Sequence, residues 1–242
     1  MTTISTQDPL ATAVVEAIHA GDVAALRQLL AEHPWLSRAR LGDDDPCGMS
    51  RTLLHVATDW PGHFPNGPQI VQALVEVGAD VNGRFRGPHE ETPLHWAASS
   101  DDVEVLDALL DAGADIDAPG AVIGGGTPLA DARAFGQWKA AHRLVERGAT
   151  TTLQDAATLG LMDRVERCFA GDRPPGKDEI DSAFWGACHG GAKESAAYLL
   201  GRGADVNWIP PWERKTPLDA ALRSEALELT DWLRERGAVS AT

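Results

Sequence analysis

Residues Thr92 to Asp117 read TPLHWAASSDDVEVLDALLDAGADID. Thr92-Pro93 is a helix start, because Thr caps and Pro fits the first helical position, where a missing N–H costs nothing. Leu94, Ala97 and Ala98 form a small-residue face that lets a neighbouring helix come close. Ser99-Ser100-Asp101-Asp102 break this helix and cap the next. Val103, Leu106, Leu109 and Leu110 recur at helical spacing and predict a second helix with one buried stripe. Gly113 ends it, as glycine does where a helix closes in the left-handed conformation. Asp115-Ile116-Asp117 lead out in extended form. One such hairpin cannot bury both faces, so it needs copies on either side.

The copies are present. GAD or GAT follows an apolar outer helix at Gly78, Gly113 and Gly148, spaced 35 and 35, and at Gly203 and Gly237, spaced 34. The start signal recurs as TLLHVA from Thr52, TPLHWA from Thr92, TPLADA from Thr127 and TPLDAA from Thr216. A period near 33 carrying TPLH and GADVN resembles the ankyrin repeat, two antiparallel helices and a β-turn finger per unit. The resemblance covers nearly the whole chain. It implies an all-α solenoid of about seven helix-turn-helix units with β-hairpin-like fingers. It also implies a binding surface on the inner helices and fingers.

The totals narrow the classes. The chain has 242 residues, 43% of them hydrophobic, and a formal net charge of −15. That charge argues against a phosphate backbone as partner, which calls for clustered Lys and Arg. No run of 18 apolar residues occurs, and MTTISTQDPL has neither the basic nor the apolar region of a signal peptide. Cys47, Cys168 and Cys188 are odd in number and widely spaced, so they form neither a disulfide framework nor a CxxC metal pair. Neither nucleic acid nor membrane is expected as a partner, and the setting expected is reducing and cytoplasmic. Many Ala, Asp and Arg with few Lys give a bacterial cast to the composition.

Residues 1–9 read as a loose tail, and residues 10–242 as a single repeat domain. The repeats fall at about 10–41, 52–82, 92–117, 127–150, 151–171, 182–207 and 216–239. The first lacks Thr-Pro-Leu-His and reads as the N-terminal cap; the last reads as the C-terminal cap. Residues 42–50, with Asp43-Asp44-Asp45-Pro46, read as a long acidic first finger. Repeat two carries an insertion of about five residues, DWPGHFPNGP, rich in turn formers and aromatics. Its Trp60, His63 and Phe64 either serve function or fold back over apolar surface. Gly148 to Thr151 is only 3 residues, so repeat five has no finger of its own.

Lining up the repeats places the residues of the groove implied by the resemblance. The residue after the fourth motif position gives Trp96, Asp131 and Asp155 in repeats three to five, and Gly186 in repeat six. The pair three and four residues later lies on the same helical face. It contributes Asp59 and Trp60, Ser99, Phe135 and His189. The groove therefore reads as aromatic anchors (Trp60, Trp96), then carboxylates (Asp59, Asp131, Asp155), then His189. The last three carry an acid–base or pocket reading at repeats three to six, with Asp131 and Asp155 roughly 10 Å apart by helix packing distance. Carboxylates under an aromatic rim favour a cation, and a cation over Trp contributes about 0.5–2 kcal/mol. The bland reading is that both aspartates are solvated acids on an acidic protein.

His55 and His95 occupy the fourth motif position. In the family that histidine joins a hydrogen-bond network tying finger to helix, a structural role. Trp185 stands in the same column and is expected to push into the space beside repeat five. Gly124-Gly125-Gly126 reads as a supple finger tip rather than a phosphate nest. No GxxxxGK[ST], GxGxxG, HExxH or GxSxG occurs, so no cofactor, metal or catalytic residue is expected. The function expected is a non-enzymatic scaffold holding a protein or peptide, above all a basic one. A small cationic ligand, in a binding or catalytic pocket of the groove at repeats three to six, is the competing reading.

Overall fold

The Thr-Pro signals start helices, as their chemistry requires. In the computed structural model, which describes residues 2–42 and 48–241, Thr92 precedes α5 (Pro93–Ser99), Thr127 precedes α7 (Pro128–Ala134) and Thr216 precedes α13 (Pro217–Arg223). Each inner helix turns into an outer one: α6 (Val103–Asp111), α8 (Trp138–Glu146) and α14 (Leu227–Arg234). The remaining pairs are α1 (Pro9–His19) with α2 (Val23–Glu32), α3 (Leu53–Ala57) with α4 (Gly67–Glu76), α9 (Leu153–Thr158) with α10 (Met162–Ala170), and α11 (Lys177–His189) with α12 (Lys193–Gly201). Seven pairs result among the described residues, the number read from the motif spacing. A left-handed glycine closes α4, α6, α8, α12 and α14 as expected, Gly113 at φ 93° for example.

The contacts group the chain into two compact units, Met1–Ala149 and Thr150–Thr242, which subdivide the array read over residues 10–242. In unit one the inner helices α1, α3, α5 and α7 pack in that order, as do the outer helices α2, α4, α6 and α8. The core between the two rows holds Leu54, Leu74, Leu94, Leu106, Leu109 and Leu129, all fully buried beside Ala97, Ala98 and Ala132. In unit two α11 packs against both α9 and α13, and α10 against α12. Its core centres on Phe184, Ala187, Cys188 and Leu199.

Three local features depart from the sequence reading. The stretch read as a loose tail contains a strand, β1 (Thr3–Ser5), parallel to β2 (Arg40–Gly42), which in turn pairs antiparallel with β3 (Ser50–Thr52). The tail also ends in a helix start, since Asp8 caps α1 through Leu10 N–H at 2.8 Å. The acidic turn at 43–45 and Cys47 lie outside the described residues. Helix α11 begins at Lys177 rather than near residue 182, because the Glu179 carboxylate caps it by accepting from Gly176 N–H at 2.8 Å. Helix α9 starts one residue late. Thr152, not Thr151, is its cap, and Leu153 stands at the first position, as Leu53 does in α3, where α5, α7 and α13 have proline.

Candidate functional site

The histidine column fixes the fingers. His55 Nδ1 lies 2.8 Å from Thr52 Oγ1, and its Nε2 reaches the Glu91 carbonyl at 3.1 Å. His95 repeats the arrangement with Thr92 Oγ1 at 2.9 Å and the Gly126 carbonyl at 3.4 Å. Each ring ties its own helix cap to the residue just before the next Thr. Burial favours the neutral ring in both, lowering the pKa to about 3 at His55 and about 4 at His95.

Trp185 performs the same tie with different chemistry. Its indole N–H donates to the Lys215 carbonyl at 2.9 Å, and Lys215 is the residue before Thr216. It therefore serves the following finger rather than filling space beside repeat five. A tryptophan and a histidine share one function there because both present a ring N–H at the right reach.

Trp96 is half-buried. Its ring lies 4.8 Å from His55, edge-on, and 5.5 Å from Phe85. Its indole donates to the buried Glu91 carboxyl, whose pKa burial pushes up. Behind it stands Asp131, with no surface exposed to solvent. Asp131 Oδ1 accepts from Ile123 N–H at 3.4 Å, and Oδ2 is buried without a hydrogen-bond partner. Burial, reinforced by the Glu91 charge, raises its pKa to about 7. This carboxyl receives the finger's own backbone, so the glycine-rich tip faces an internal acid and not a phosphate.

The insertion of repeat two folds onto its neighbours. His63 N–H donates to Asp102 Oδ2 at 2.7 Å, His63 Nε2 lies 2.9 Å from the Ser100 carbonyl, and Phe64 stacks on His19 at 4.2 Å. Trp60 is the large aromatic of the loop left outward, 84% exposed. Asp59 beside it is ion-paired with Arg51, while burial pushes its pKa up. On the other flank Gln137 Nε2 donates to the Ser99 carbonyl at 3.0 Å, and Phe135 in that turn is 49% exposed. Ser99 and Ser100 thus lie between the loop of Trp60 and the turn of Phe135. Cavities lie elsewhere in unit one. One, of about 450 Å³, lies between α4 and α6 along Val71, Val75 and Ala108, and one, of about 470 Å³, lies among the fingers along Arg84, His89 and Gly125. Neither is lined by Trp96 or Asp131.

Asp155 and His189 belong to unit two. The late start of α9 makes Asp155 its third residue, and the carboxylate caps the helix. It accepts from Thr152 N–H at 2.9 Å and Thr152 Oγ1 at 2.6 Å. It thus plays the part that Asp219 plays for Thr216. His189 is buried, stacks on Trp185 at 5.5 Å, and its carbonyl accepts from Ser224 Oγ. Neither aspartate is a solvated surface acid. The sequence signal that separates Asp155 from Asp131 is the second threonine of Thr151-Thr152, which caps one residue later and so makes Asp155 the third helical residue. Among the described residues no group of three or more His, Cys, Asp or Glu is placed to hold a metal, and no helix is long and apolar enough to cross a membrane.

Successive helix pairs, with backbone fingers tied to the following caps through His55, His95 and Trp185, define a helical-hairpin repeat protein of the kind that presents a binding surface. A family model for ankyrin repeats, in three copies, matches residues 65–155. Over those residues the chain carries ankyrin repeats, and the helix pairs on either side resemble them. It is 27% identical over 180 residues, 71% of its length, to an ankyrin repeat and KH domain-containing protein of Caenorhabditis briggsae. It is 40% identical over 83 residues to the mouse ankyrin repeat and SOCS box protein 6, and 41% identical over 81 residues to the human one, about a third of this chain in each case. The chain spans 7% of the first relative and 18% of each of the other two. All three are animal proteins. Ankyrin repeats generally mediate protein–protein interaction.

Proposed function

We propose that unit one binds a protein or peptide rich in basic residues, through the inner-helix edge that carries Trp60, Ser99 and Phe135, without catalysis. The observation that carries this reading is Trp60. A tryptophan 84% exposed on a loop pinned at His63 and Phe64 is a rigid apolar anchor held out to solvent. Anchors of this type dominate interface energetics. Charge supports a basic partner: residues 1–149 hold 21 acidic and 10 basic residues, net −11 of the chain's −15. Such a field steers cationic partners into encounter.

The remaining residues take supporting parts. Trp96 backs the edge through His55 and Phe85. Asp59 stays with Arg51, and Asp131 fixes the finger beneath. Asp155 and His189 shape unit two. A reducing, cytoplasmic setting suits Cys168 and Cys188, which are both free thiols. Trp60→Ala and Phe135→Ala test the assignment, since neither truncation opens the core. Each is expected to weaken binding of an arginine- and lysine-rich peptide at least about tenfold, as an anchor worth about 1.4 kcal/mol or more would. Melting temperature should stay unchanged. Unaltered affinity in both variants rules this surface out.

A further inference from the structure

Unit two holds a second feature that the proposed function does not use. Trp185, Trp208 and Trp212 meet at one corner: Trp208 and Trp212 are 5.6 Å apart, Trp185 and Trp212 6.3 Å, both pairs near edge-to-face. Such a group would ordinarily be closed over by apolar side chains, yet Trp212 is 56% exposed. Over the Trp185 ring lies the Arg223 guanidinium, 5.8 Å from the centroid. The Glu213 carboxylate holds it at 2.7 Å, and His189 Nδ1 lies 3.5 Å from its Nη2. An aromatic face with a carboxylate alongside is the chemistry that recognises a cation, and a planar guanidinium best of all.

The occupant is loosely held. The Arg223 side chain is 43% exposed, and an ion pair in that setting contributes little, because water competes for both partners and two side chains lose rotamer freedom. The exchange of one guanidinium for another conserves every contact while releasing Arg223 to water. We propose that this corner is a cation site for an arginine side chain of a peptide partner, and that Arg223 is its built-in competitor. The partner's guanidinium would stack on Trp185, pair with Glu213 and lie against Trp212. This site is independent of the surface at Trp60.

Titration of the full chain with an arginine flanked by glycines, in amide form, tests it. Arg223→Ala is expected to tighten binding about two- to fivefold by removing the competitor, since a displaceable ion pair of this kind contributes no more than that. Trp212→Ala, a change at an exposed ring, is expected to lose the binding with no drop in melting temperature. The Trp60→Ala, Phe135→Ala double variant is expected to bind this peptide as the unaltered chain does. Unchanged or weaker binding in Arg223→Ala overturns the proposal, as does equal binding of a peptide with glutamate in place of the arginine. Free arginine amide separates the two sources of the cation. It is expected to compete with the peptide, and a site that takes arginine amide but not the peptide overturns the assignment to a peptide partner.

Discussion

Asp131 sets the pH behaviour of the finger above it. Its folded pKa of about 7 lies above the ordinary value of 3.8, so the folded chain keeps a proton that the unfolded chain has released. Its contribution is full below about pH 3.8 and lost as pH rises to 7. Asp131→Asn keeps the shape and removes the charge. At about pH 8 it is expected to stabilise by roughly 1–3 kcal/mol, since each tenfold change in proton affinity corresponds to about 1.4 kcal/mol, with the gain vanishing near about pH 4. Melting temperatures at the two pH values decide it. His55 and His95 act in the opposite sense. Their pKa values of about 3 and 4 lie below 6.5, so the unfolded chain takes up protons first. The stability they confer is present above about pH 6.5 and fades as pH falls towards 4 and then 3. Replacement of His95 by Gln should flatten the acid limb of a stability-versus-pH curve; an unchanged limb would show that the histidine ties carry no such linkage. Trp96→Ala is a change of another kind. Its ring packs on His55 and Phe85, so a loss of roughly 2–4 kcal/mol in chemical denaturation is expected, in the range of large-to-small aromatic truncations.

The elements show which signals survive the passage from sequence to structure. The TPLH and GAD signals place α5 to α8 and α13 with α14 because each acts locally: a cap, a proline at the first position, a glycine at the close. Leu106 sits at full burial between the rows, as its place in the α6 stripe implies, and Leu106→Ala is expected to cost roughly 2–5 kcal/mol. What the sequence hides is non-local. Strand β1 is three residues whose pairing partner lies more than thirty residues on, and no alternation marks so short a segment. Gly186 stands in a groove column by alignment and Gly190 follows His189, yet a methyl on either would overlap Thr158, whose hydroxyl and carbonyl these glycines meet directly. Close approach of two helices leaves only a glycine as its trace. Gly190→Ala, with its helical backbone angle, isolates this packing. It is expected to destabilise by about 1–3 kcal/mol through overpacking, measured by urea unfolding. A neutral result would mean that α9 and α11 part at little cost.

At the scale of the molecule, the proposed function makes charge and exposed aromatics the features that select a partner. The sequence makes the groove residues candidates, but only burial sorts them: Trp60 and Phe135 reach solvent, while Asp131, Asp155 and His189 hold the scaffold. That sorting depends on where the insertion folds and on where one helix starts, which alignment of motifs does not resolve. The net −11 of residues 1–149 is, by contrast, plain in the sequence and bears directly on partner choice. The most direct measurement is the dissociation constant of an arginine- and lysine-rich peptide at low and high salt, beside a glutamate-rich peptide of equal length. Tight binding of the basic peptide alone, weakening steeply as salt rises and lost in the Trp60→Ala, Phe135→Ala double variant, is the predicted result. Equal affinity for both peptides, or affinity indifferent to salt, contradicts it.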